Sequence, residues 1–95
     1  MVKLLPIGSI VSIDQERKEK ILIIGRLIRK EIDGEVFDYC GCKAPVGVQG
    51  EEELEVFNHK EIKRLLFIGF QDEEEMQFSH YISKEKEKLN ESEEI

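Results

Sequence analysis

Two cysteines, two histidines and no basic stripe leave several kinds of chemistry out of reach for this chain of 95 residues. Cys40 and Cys42 are two residues apart, so a strand would place them on one face, yet a bond between them would strain disulfide geometry. A metal would need two further ligands, and His59 and His80 stand in no zinc-like spacing with the cysteines. Both thiols are therefore expected to be reduced and packed as small apolar groups, with no metal and no cofactor. No apolar run approaches the roughly 18 residues of a membrane span. The start, one lysine followed by Leu4-Leu5-Pro6-Ile7-Gly8, is too short and broken for the apolar core of a signal peptide, which sets the expected location as the cytoplasm. The net charge of −7 is concentrated at one end. Residues 1–71 hold 11 basic and 12 acidic side chains, and residues 72–95 hold 3 and 9. Such an end repels a phosphate backbone, so neither nucleic acid nor membrane is an expected partner.

What is present points to one small domain built on a sheet. Lys20–Arg29 carries four consecutive apolar residues, Ile21 to Ile24, three of them β-branched. A strand alternates its faces, so this run predicts a central strand covered on both sides, with Gly25 marking a bulge. Ser9–Ile13 is expected as the strand before it, joined by the polar connection Asp14–Glu19. Asp33-Gly34 is a type I′ turn signal leading into a third strand, Glu35–Cys42, with Val36, Asp38 and Cys40 on one face and Phe37 and Tyr39 on the other. Gly41–Gly50 reads as a shaped loop, and it lacks the lysine and Ser/Thr that follow the glycines of a phosphate loop. Leu54, Val56 and Phe57 suggest a short fourth strand. Asn58 and Glu61 have capping-box spacing for a short helix that would put Ile62, Leu65 and Leu66 on one face, with a strand after it toward Phe70. Gly8, Gly25 and Gly69 sit where a curled sheet would bend.

Asp72 and Glu75 repeat the capping-box spacing, and Glu73 and Glu74 favour the positive end of the helix dipole. The helix is expected over 72–89, within a globular domain of residues 1–89, and residues 90–95 are expected as an acidic flexible tail. At about 100° per residue, Phe78, Tyr81, Ile82 and Leu89 fall in one arc, Met76 lies nearly opposite, and Glu85 interrupts the stripe. Such a stripe commonly covers its own sheet. It could also receive a helical partner through aromatic anchors, which makes Phe78, Tyr81 and Ile82 the candidate partner-binding residues. The expected fold class is α+β: a small, strongly bent antiparallel sheet of about five strands, with an SH3-like barrel as its closed form, and a C-terminal amphipathic helix.

No catalytic constellation is apparent. His59 and His80 are lone histidines, the first at the first turn of the short helix and the second beside the stripe with polar neighbours, and both are expected at the surface. Arg26, just past Gly25, could bind an anion, although a charge ending an apolar strand is the commoner arrangement. Cys40 or Cys42 would need a histidine brought near by the fold. The chain is expected not to be an enzyme.

Several fragments occur together in a recognisable order: Leu5-Pro6-Ile7-Gly8-Ser9-Ile10-Val11, Ile23-Ile24-Gly25-Arg26, Asp38-Tyr39 with Gly41-Cys42, Phe57-Asn58-His59, and Gly69-Phe70 before Asp72-Glu73-Glu74. In their order and spacing they resemble the domain of unknown function family 4176 over roughly residues 4–76. These are small proteins of low-GC Gram-positive bacteria, encoded beside LXG-type toxins of the type VII secretion system. The resemblance implies a non-catalytic accessory protein that binds a cognate toxin, or its co-encoded helical partner, as a targeting factor or chaperone. Ala44 and Val46 flank Pro45 where the family has an aromatic and an acidic residue, so a partner chosen by that loop would differ. Two rival functions stand beside this one: an immunity protein inhibiting the toxin's catalytic domain, and a small-ligand-binding barrel.

Overall fold

The computed structural model describes residues 3–14, 19–29 and 34–93. In chain order it contains β1 (Ile10–Ser12), β2 (Lys20–Arg29), β3 (Val36–Ala44), β4 (Glu55–Phe57), β5 (Arg64–Phe67) and α1 (Glu73–Glu93). Single 3₁₀ turns occupy Glu51–Glu53 and His59–Glu61. The strands form one antiparallel sheet in the order β4-β3-β2-β1-β5. β2 is the middle strand, as its apolar run predicts, while β4 and β5 are edges. The sheet is therefore open and not closed into a barrel. The hairpin signals agree with the antiparallel pairing, but the connection through 15–18 and the turn at 30–33 lie outside the described residues, as do residues 94 and 95.

The bulge falls where Gly25 predicts it. Ile23 faces Gly41 on β3, but Gly25 faces Cys40, leaving Ile24 as the extra residue. An extra residue reverses the alternation of a strand. Ile23 and Arg26, three apart, consequently share a face, because Arg26 stands directly opposite Tyr39 and Ile23 opposite Gly41. The expectation that all of Ile21–Ile24 is covered fails at this one position: Ile21 and Ile23 are buried, and the bulged Ile24 is 39% exposed.

β3 runs to Ala44, so Gly41 and Cys42 belong to the strand and the following loop is shorter than Gly41–Gly50. Gly41 is used for close approach, since a Cβ there would stand 2.8 Å from the Leu22 carbonyl oxygen. Ile62, Leu65 and Leu66 do not share a helical face. The 3₁₀ turn ends at Glu61, and Leu65 and Leu66 lie in β5. At Gly69 the chain leaves β5 pressed against the backbone before β1, where a Cβ would lie 2.9 Å from both Gly8 C and Ser9 N. The Gly69 N–H donates to Ser9 Oγ at 2.9 Å there.

The core is Leu4, Val11, Ile21, Ile23, Tyr39, Phe57 and Ile82, with Leu5, Ile13, Leu27 and Ile62 packed against it. Tyr39 and Phe57 are cross-strand neighbours with ring centroids 5.4 Å apart. Cys40 and Cys42 are free and buried, in keeping with small apolar packing. Asp72 caps α1, its Oδ1 accepting the Glu75 N–H at 2.8 Å. The helix continues past Leu89 to Glu93. No helix among the described residues is long and apolar enough to cross a membrane.

Candidate partner-binding surface

Charged contacts join α1 to the sheet. Arg26, turned to the Tyr39 face by the bulge, places Nη1 at 2.8 Å from Glu75 Oε1 and 2.9 Å from Ser79 Oγ. The same nitrogen donates to the Leu5 carbonyl at 3.3 Å. The side chains of Arg26 and Glu75 are only 4% and 13% exposed. Ser79 Oγ donates to Glu75 Oε1 at 2.6 Å, holding the carboxylate in position. The anion that Arg26 binds is thus supplied by the chain's own helix. Farther along, Lys86 Nζ meets Asp38 Oδ1 at 2.9 Å.

These contacts fix the roll of the helix. Glu75, Ser79, Ile82, Ser83 and Lys86 are spaced i, i+4, i+7, i+8 and i+11, so they line one face at 3.6 residues per turn. That face meets the sheet: Ser79, Ser83 and Ile82 are 0%, 3% and 5% exposed. Two small serines, Ser79 and Ser83, thus occupy the contact beside Ile82. The aromatic stripe is consequently rotated roughly a quarter turn away. Phe78 and Tyr81 are 51% and 59% exposed, with ring centroids 6.2 Å apart. The structure thus divides the three candidate residues. Ile82, at the margin between the two faces, is committed to the core and is corrected from a docking residue to a packing one. Phe78 and Tyr81 face outward, and the Arg26 guanidinium carbon lies 5.3 Å from the centre of the Phe78 ring, which steadies it.

His59 is not the surface residue that its place at the first turn of a short helix suggests. It is half-buried, its Nδ1 lies 2.6 Å from Tyr39 Oη, and its N–H donates to Asp38 Oδ2 at 2.8 Å. Tyr39 Oη accepts the Leu5 N–H at 2.9 Å, so the hydroxyl sits between Leu5 and His59. Burial pushes the Tyr39 hydroxyl pKa up to about 12, with the Leu5 N–H opposing the shift and Asp38 reinforcing it. Asn58 Oδ1 accepts the Asp38 N–H at 3.0 Å, and Glu61 Oε2 accepts the Asn58 N–H at 2.6 Å. A fully buried phenol with hydrogen-bond partners on two segments is a structural junction that ties the N-terminal segment to β3 and the 3₁₀ turn. His80 is exposed, as expected.

Sequence reasoning missed the surface at β5. All four of its residues are exposed, and the apolar series continues beyond it: Leu65 50%, Leu66 41%, Phe67 58%, Ile68 47% and Phe70 77%. The available signal was the unbroken run Leu65–Ile68, which resembles a core strand until topology places it at an edge. A depression of about 620 Å³ beside the start of α1 is lined by Asp72, Glu73, Met76, Gln77 and His80. It does not include Tyr39 or His59.

A sequence model of the family described as Domain of unknown function (DUF4176) matches residues 4–78, so the chain belongs to that family. No curated protein and no solved structure matches it. The fragments that carried the resemblance meet in space: Leu5, Arg26, Asp38-Tyr39 and Asn58-His59 all belong to the two polar junctions.

Proposed function

We propose that this chain, as a member of that family, is a non-catalytic accessory protein of the cytoplasm. It binds a cognate LXG-type toxin, or that toxin's co-encoded helical partner, and serves as a targeting factor or chaperone for type VII secretion. The class of partner follows from the family resemblance. The observation that supports a binding role is the roll of α1, which packs serines inward and holds Phe78 and Tyr81 outward. An aromatic pair kept in solvent on a helix that could have buried it is the arrangement expected of anchors awaiting a groove or a second helix.

Co-expression with the neighbouring toxin gene, followed by capture with truncated toxins, tests this. The N-terminal helical domain of the toxin should be retained, and the double variant Phe78→Ala/Tyr81→Ala should lose it while melting like the parent. Capture by the toxin's C-terminal catalytic domain alone would instead make the chain an immunity protein. Unchanged binding by the double variant would remove the helix as the docking face.

A further inference from the structure

The two edges of the sheet are treated differently. β4 is three residues long, contains Glu55 and follows the acidic turn Glu51–Glu53, so charge discourages pairing at that side. β5 has no proline, and no charge interrupts it from Leu65 to Phe70. Its far side carries no strand among the described residues, and its side chains are exposed on both faces. An edge of this kind is a template for another strand.

The flanking charges identify which strand. Lys60, Lys63 and Arg64 precede the apolar series, and Asp72, Glu73 and Glu74 follow it, all of them exposed. The one opposing charge on the basic side, Glu61, is engaged by the Asn58 N–H. Antiparallel pairing of β5 with an identical β5 about a two-fold axis brings the basic end of each copy toward the acidic end of the other. Parallel pairing would set like charges together. The segment is therefore complementary to itself, which is the requirement of an isologous two-fold interface. We propose that β5 is the seam of a homodimer, in which two copies of this chain join edge to edge and extend one continuous antiparallel sheet. Leu65, Leu66, Phe67 and Ile68 would be covered across the seam. Phe78 and Tyr81 play no part in this argument, so the dimer stands or falls apart from the proposed partner-binding role.

The test is sedimentation of the full chain over a micromolar to submillimolar series, with charge-reversed variants. The parent should form a dimer whose dissociation constant rises at least about tenfold between roughly 0.05 and 0.5 M salt, as screening weakens the end-to-end attraction. Leu66→Lys should be monomeric. Lys63→Glu/Arg64→Glu makes both ends acidic, and Glu73→Lys/Glu74→Lys makes both ends more basic. Each should be monomeric alone, and the two mixed should pair as a heterodimer, a result that misfolded variants could not give. A parent that stays monomeric throughout the series would overturn the proposal. So would dimers that survive Leu66→Lys, or charge-reversed variants that fail to pair when mixed.

Discussion

Arg26 Nη1 and Glu75 Oε1 lie 2.8 Å apart with both side chains largely withdrawn from water, and this contact determines which side of α1 meets the sheet. It depends on the bulge at Ile24, without which Arg26 would project from the opposite face. A local irregularity in β2 thereby decides that the aromatic residues of a distant helix remain exposed.

Removing one partner of that pair should be costly, because the other charge is left buried and uncompensated. Glu75→Ala is expected to destabilise the domain by about 3–5 kcal/mol in urea unfolding. The double variant Arg26→Met/Glu75→Leu should recover most of that loss, since apolar groups of similar size need no partner. A single variant as stable as the parent would mean that the helix is held by other contacts.

Neighbouring residues on α1 should behave in opposite ways. Ile82→Ala deletes a core side chain and is expected to cost about 2–5 kcal/mol. Tyr81→Ala removes an exposed ring and should change stability by less than about 0.5 kcal/mol. Thermal melts of the two variants compare them directly. A large loss for Tyr81→Ala would place its ring in the core and contradict the observed roll.

Alkaline pH should unfold the protein through Tyr39. Its hydroxyl ionises at 10.0 in the unfolded chain and at about 12 in the fold, so the native state holds the proton longer between those values. The associated stability is fully present below pH 10 and is lost as pH rises toward 12. Tyr81→Phe leaves Tyr39 as the sole tyrosine, and its ultraviolet absorbance can then be followed against unfolding. Phenolate formation near the ordinary tyrosine range in a still-folded protein would contradict the buried junction.

Cys40 and Cys42 should resist alkylation in the native state and react promptly in urea. Both are buried, and burial together with the neighbouring Cys42 raises the pKa of Cys40, reducing its reactive thiolate. Rapid labelling of the folded protein would show that this part of β3 opens readily.

Residues whose local pattern has a single solution were legible. Ile21–Ile24 announced a central strand, covered except at the bulged Ile24, and the following glycine marked the bulge. Asp72 ahead of three glutamates announced a helix start. Glu75 shows where the pattern ran out. Its spacing from Asp72 suggested a capping box, and Asp72 does cap the Glu75 N–H, but the Glu75 carboxylate turns to Arg26 across the fold. His59 was likewise read from its place at the start of a short helical turn, whereas its partner Tyr39 lies on β3.

By itself the sequence determined the periodicities: an antiparallel sheet around β2, a long C-terminal helix and an acidic end. These follow from interactions between residues close in the chain, where backbone geometry fixes which side chains share a face. Only the tertiary structure decided which of two helix faces turns inward and which strands become edges. The aromatic arc of α1 and its Glu75–Ser79–Ile82–Ser83–Lys86 arc were both available for packing. The choice was made by Arg26 and Asp38, charges on the sheet that required partners once they were withdrawn from water. Likewise Leu65–Ile68 has the composition of a buried strand, and it is exposed because, among the described residues, β5 pairs only with β1. Neither outcome is encoded within one segment, since each depends on what the rest of the chain places beside it.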